Sequence, residues 1–164
     1  MKKFLVVLLM LSGVQLVKAQ KVRTVEAADQ GWSGGIAGRW GMDYTFIVEF
    51  SDYDTEPVPD TIWVEHQPFP IGVYNAGETP NGNARRIANI NKVRFEIHAG
   101  TSHDQQAEQQ EMISNTYSKK DKPKTQQPPV AIEGAAMVSY KYHGKEHYHQ
   151  ITKITSHGTP RAYP

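Results

Sequence analysis

Apolar and polar residues alternate with period two along much of the chain. The clearest run is Asn91 to Ala99, where Val93, Phe95 and Ile97 alternate with Lys92, Arg94, Glu96 and His98. Successive side chains of an extended chain point to opposite faces, so this pattern predicts a half-buried strand. Tyr44, Phe46, Val48 and Phe50 alternate with Thr45, Ile47 and Glu49 in the same way. Thr61 to Glu65 is rich in the β-branched and aromatic residues that suit a pleated surface. Val22 to Glu26 and Ile71 to Tyr74 are weaker candidates, and Gly and Pro punctuate the intervals.

Near the C-terminus, Ala136 to His143 and Glu146 to Ile154 flank the pair Gly144-Lys145. Glycine at the first central position predicts a two-residue type II′ hairpin turn. That turn sets Tyr142 opposite His147, Tyr140 opposite His149 and Val138 opposite Ile151, all on one face. Ile154 falls out of phase with Ile151, which predicts a bulge near Thr152 or Lys153.

Between Gly100 and Val130 the alternation stops and Gln, Lys, Ser and Pro dominate. Ser102 is placed to cap a short surface helix from His103 to about Ser114, with Gln105 completing a capping box. Asn115 to Pro129 reads as a long polar loop. Strands that are antiparallel wherever local order is visible, with one insertion over 100–130, predict an all-β, two-layer sandwich of six to eight strands, Ig-like or similar. A partly open β-barrel is the alternative.

The N-terminus changes the compartment. Met1-Lys2-Lys3, the apolar stretch Phe4 to Leu11 and a segment ending Val17-Lys18-Ala19 follow the plan of a secretory signal peptide, with cleavage expected before Gln20. The apolar run is much shorter than the roughly 20 residues of a membrane span. The expected product is one exported domain over 20–164, periplasmic or extracellular and not embedded in a membrane. The sequence has no cysteine, so its core must hold it without disulfides. Losing Lys2, Lys3 and Lys18 takes the basic side chains from 18 to 15 against 17 acidic ones. The resulting net charge of about −2 argues against a nucleic-acid partner.

Several constellations bear on chemistry. Gly31-Trp32-Ser33-Gly34-Gly35 matches the G-x-S-x-G pattern of hydrolases, but a strand rather than a helix is expected after it, so a glycine-rich turn is the better reading. Ser102-His103-Asp104 contains the residue types of a catalytic triad, yet adjacent side chains diverge where a triad must converge. Asp52, Asp54, Glu56 and Asp60 begin like an EF-hand loop, but Pro57 and Trp63 stand where that loop needs Gly and Glu.

Two groups remain. Trp32 and Trp40, with Arg39 beside them, offer flat apolar rings on which a sugar or a peptide side chain can rest, and Tyr140 and Tyr142 extend the candidate binding set. His147 and His149 share a strand face and are the candidate zinc or copper ligands, although a third ligand is not evident. The expected function is a non-enzymatic exported domain that binds a protein, peptide or glycan through its surface, with no cofactor. The alternatives are a zinc or copper protein, or metal-dependent enzyme, built on the C-terminal histidines, and an envelope structural or assembly component docking through Gln105 to Gln127.

Overall fold

The computed structural model describes residues 20–34, 38–104 and 127–163. The leader, Gly35 of the glycine-rich turn and residues 105–126, which carry most of the expected helix and polar loop, lie outside the described residues. Within them the chain forms β1 (Lys21–Gly34), β2 (Arg39–Ser51), β3 (Val58–Val64), β4 (Gln67–Pro70), β5 (Val73–Asn75), β6 (Ala84–Asn89), β7 (Lys92–Asp104), β8 (Ala136–Tyr142), β9 (Lys145–Ile151), β10 (Thr155–Ser156) and β11 (Arg161–Tyr163). No helix occurs among the described residues.

These strands make two sheets, neither closed into a barrel. The larger has the order β10-β1-β2-β7-β6-β5, with β11 pairing further along β1, and the smaller has the order β4-β3-β8-β9. The centre is antiparallel, while β1–β10, β1–β11 and β5–β6 are short parallel pairings at the margins. Four strands were not foreshadowed by the alternation. β4 carries two prolines and lies at a sheet edge, where a missing N–H costs no ladder bond. β6, β10 and β11 depend on partners distant in sequence.

The alternating residues do what their period demands. β2 and β7 pair without interruption from Arg39↔Asp104 to Ser51↔Lys92. Their inward residues Phe46, Val48, Phe50, Val93, Phe95 and Ile97 meet Ile62, Val64, Val138, Tyr140 and Ile151 of the smaller sheet in one core. Phe50 stands edge-on to both Phe95 and Tyr140, so aromatic packing joins the layers. Each fully buried Phe contributes roughly 1.5–3 kcal/mol relative to exposure.

Three local expectations are corrected. Ser102 and His103 do not begin a helix but continue β7, opposite Gly41 and Trp40. The ladder with β2 gives these backbone groups partners that a local cap cannot match. The C-terminal turn lies at His143-Gly144, with Tyr142 opposite Lys145, Tyr140 opposite His147 and Val138 opposite His149. Both turn residues have positive φ, 50° and 71°, which is the type I′ geometry that follows the twist of a hairpin. The shift is two residues, so the facing set is preserved. Finally, residues 152–154 do not bulge within β9. The chain leaves the smaller sheet there, and Thr155–Ser156 joins β1 of the larger one. A bulge does occur in β1, between Thr24 and Glu26, and it exposes Val25.

Candidate functional site

The long strands give the larger sheet an outer face that the smaller sheet does not cover. Beyond the β1 bulge the outward residues are Glu26, Ala28, Gln30 and Trp32. They are in register with Ile47, Thr45, Asp43 and Gly41 of β2, and β7 supplies His98, Gly100 and Ser102 beyond these. Small residues at Ala28 and Gly100 leave a shallow floor. The C-terminal segment forms the wall: His157 N–H donates to the Asp29 carbonyl at 3.0 Å, and Arg161 lies in register with Trp32. A groove of about 630 Å³ results, lined by Glu26, Gln30, Asp43, Thr45, His98, His157 and Arg161 among others.

The glycines under this groove are matched to their neighbours. A Cβ at Gly41 would come within 2.1 Å of the Thr101 carbonyl oxygen and 2.5 Å of Trp32 Cζ2, so the indole lies flat over that glycine. At Gly100 a Cβ would stand 3.1 Å from Asp43 Oδ1. Glycine therefore lets the Asp43 carboxylate lie across the floor.

Thr45 Oγ1 is 3.4 Å from His98 Nδ1, and His98 Nε2 is 3.5 Å from Glu96 Oε1. The hydroxyl, imidazole and carboxylate fall in a line that resembles a nucleophile with its base. The surroundings lack the complementary feature, because β2 and β7 are continuously paired here and their N–H groups serve the ladder rather than an oxyanion. The arrangement is suited to hydrogen bonding, with acids, an amide, imidazoles and a guanidinium around one trough.

The sequence-predicted residues separate into two distant sets. Trp32 lies on the groove's face one outward position beyond Gln30, in register with Arg161, and Arg39 begins β2 on the same face. Trp40 points to the opposite face, 53 % exposed and stacked on His103 with ring centroids 4.2 Å apart. The two indoles thus do not form one platform, because Ser33↔Trp40 and Trp32↔Gly41 place them on alternate sides of the ribbon. Tyr140 and Tyr142 lie near the far end of β2, where Tyr140 packs on Phe50, which is ten residues from Trp40, or about 33 Å of extended strand. Tyr140 is buried against Phe50, and the Tyr142 hydroxyl donates to Asp54 at 2.8 Å.

His147 and His149 share the inner face of β9, as expected, but each has its own partner. His147 stacks on Tyr140, and His149 Nε2 lies 3.0 Å from Thr24 Oγ1 across the seam between the sheets. Burial pushes the His149 imidazole below its usual pKa. Among the described residues no group of three or more His, Asp or Glu side chains gathers where a metal ion could be held. The acidic run is likewise dispersed into separate pairs: Lys21–Asp52, His143–Asp54, Arg86–Glu56 and Lys141–Asp60.

A second feature of the outer face had no signal beyond ordinary alternation. Glu49 accepts from Arg94 Nε at 2.6 Å and from Arg23 Nε at 2.8 Å, and Lys92 Nζ stands 3.5 Å away. The carboxylate is only 2 % exposed because these three side chains roof it over, although it sits on a sheet face and not in the core. The Arg94 hydrogen bond, followed by Arg23 and the nearby Lys92 charge, outweighs desolvation and holds the Glu49 carboxyl below its usual pKa.

Asp43, His98, His157 and Arg161 are the groove residues that sequence reasoning missed. Asp43 and His98 carry the outward phase of readable strands, whereas His157 and Arg161 arrive through parallel pairing with β1. Compared with known protein families, curated proteins and solved structures, the chain matches none.

Proposed function

We propose that the mature chain is an exported, non-enzymatic β-sandwich domain that binds a glycan in the outer groove of its larger sheet. The observation that carries this reading is the groove itself: a trough of about 630 Å³ with a small-residue floor and Asp43, Gln30, His98 and Arg161 around it, while the Trp32 indole lies on the same face in register with Arg161. Sugar hydroxyls need paired donors and acceptors, and a planar indole complements the apolar face of a pyranose ring. The signal-like N-terminus supports the exported compartment, where such ligands are met.

The test is binding of the protein from Gln20 onward to an immobilised panel of neutral and acidic oligosaccharides. Asp43→Ala and Arg161→Ala should each weaken the best hit about tenfold, as expected when a charge-assisted hydrogen bond is removed. Retention of full affinity by both variants, or no binding to any glycan, would overturn the proposal. The zinc or copper reading has two imidazoles on one face but no observation that adds a third ligand. The assembly reading rests on Gln105 to Gln127, nearly all of it outside the described residues.

A further inference from the structure

South of the groove, the same outer face changes from mixed polarity to excess positive charge. Arg23 of β1 and Arg94 of β7 flank Glu49 of β2 through direct cross-strand pairing, and Lys92 reaches the same carboxylate from the next outward position. Three cations thus share one anion, which leaves a local surplus of two positive charges on a chain whose expected mature net charge is about −2. Their side chains remain 62 %, 40 % and 50 % exposed for Arg23, Arg94 and Lys92. Arg94 engages Glu49 through Nε, whereas Arg23 engages it through both Nε and Nη2, each at 2.8 Å.

Glu49 acts as a hub. It gathers the three side chains and fixes their nitrogens at one spot, which lowers the entropy that flexible Arg and Lys side chains would otherwise lose on binding an anion. The cluster also lies on the strands that build the groove. Thr45, on the groove floor, and Glu49 are four residues apart along β2, about 13 Å for an extended strand. A chain of sugars seated in the groove and running along β2 would cross the Glu26–Ile47–Glu96 row, where Arg85 pairs with Glu96, and then pass over Arg23 and Arg94.

We infer that the Arg23–Lys92–Arg94 cluster is an anion subsite that takes a sulfate or carboxylate group of an acidic polysaccharide whose neighbouring sugars occupy the groove. The inference rests on the proposed glycan reading and adds its charge class. Guanidinium groups match the geometry of such oxyanions, and the surplus charge supplies complementarity.

The experiment compares dextran sulfate with neutral dextran of equal length, using the protein from Gln20 onward and affinity measured at several salt concentrations. Dextran sulfate should bind more tightly, with affinity falling as salt rises. Arg23→Gln, at a side chain 62 % exposed, and the double variant Arg23→Gln/Arg94→Gln, both checked for folding by circular dichroism, should progressively lose that advantage, the double by about tenfold. Glu49→Gln should strengthen sulfate binding about threefold, because it removes the competing negative charge while keeping an acceptor for the arginines. A purely structural cluster would show the opposite, with Glu49→Gln leaving sulfate binding unchanged.

Equal binding of dextran sulfate by wild type and the double variant would overturn the subsite while leaving groove binding of neutral sugars intact. Tight sulfate binding that is lost in the double variant but insensitive to Asp43→Ala would keep the subsite and end the groove reading. Binding of single-stranded DNA or anionic lipid vesicles as tightly as dextran sulfate would also overturn the polysaccharide assignment.

Discussion

Gly41 is the position where one added carbon should be felt most. Its Cβ would meet both the Thr101 carbonyl oxygen and the Trp32 ring, neither of which can withdraw without disturbing the β2–β7 ladder or the indole. Gly41→Ala should lower unfolding free energy by about 1–3 kcal/mol, the usual cost of overpacking. Gly31→Ala is the control, since its nearest neighbour would be Pro160 Cγ at 3.7 Å, an ordinary contact. Urea denaturation of the two variants checks the contrast, and equal stability would refute the close packing of Trp32.

His149 makes a second prediction at this scale. Burial lowers its pKa in the folded state from the ordinary 6.5, so below 6.5 the unfolded chain binds the proton more readily than the folded one. The contribution of neutral His149 is therefore complete above pH 6.5 and is lost as pH falls from there toward the lower folded value. Glu49 behaves similarly at more acid pH: its stabilisation is complete above 4.5 and lost as pH falls through its depressed folded pKa. Melting temperatures across pH 7 to 5 should fall for wild type and fall less for His149→Gln. Parallel curves for the two proteins would show that His149 does not carry the dependence.

Turns are where element-scale reading succeeds or fails. Glu65 and His66 connect β3 to β4 with φ of 49° and 69°, a type I′ turn without glycine or asparagine at either position. Left-handed backbone costs such side chains energy that Asn-Gly avoids. Glu65→Asn/His66→Gly should raise stability by about 1 kcal/mol, measured by chemical denaturation, and an unchanged midpoint would show that the turn is not strained. The absence of a turn signal at Glu65-His66 is also why β4 was invisible in the sequence, since Val64 and Gln67 look like one interrupted strand. At His143-Gly144 the glycine was visible but its place in the turn was not. The period-two phase is identical for registers two residues apart, so it fixed which face each side chain occupies and left the exact opposite neighbour to the turn. By contrast, β2 and β7 were readable because their inward residues are uniformly large and apolar while their outward ones are polar.

Across the whole molecule, legibility follows the range of the interaction. Two apolar layers and a shared core follow from local alternation, but the groove does not, because its wall comes from residues more than fifty positions from any part of its floor. His157 and Arg161 reach it only because the chain crosses from the smaller sheet to the edge of the larger one after Ile151 and then runs parallel to β1. Trp32 and Trp40 illustrate the same limit: both offer flat rings and they lie close in sequence, yet only strand pairing shows that they sit on opposite faces.

The C-terminal crossing therefore bears more on the groove than on the core. Thr155, Ser156, Arg161 and Ala162 are exposed, so β10 and β11 contribute edge hydrogen bonds and little apolar burial, whereas Ile151 and Ile154 already belong to or pack on the core. A chain ending at Ile154 should stay folded, with unfolding free energy reduced by about 1–3 kcal/mol for the lost edge bonds. It should lose most of its affinity for a groove-bound glycan, because His157 and Arg161 leave together. It should also self-associate, since Ala28–Gly34 of β1 would present an unpaired edge to another copy. Circular dichroism, glycan binding and light scattering on one preparation read these three outcomes separately. A truncated protein that binds as well as the full chain would place the ligand somewhere other than the groove, and one that unfolds altogether would show that the tail, despite its exposure, is part of what holds the larger sheet together.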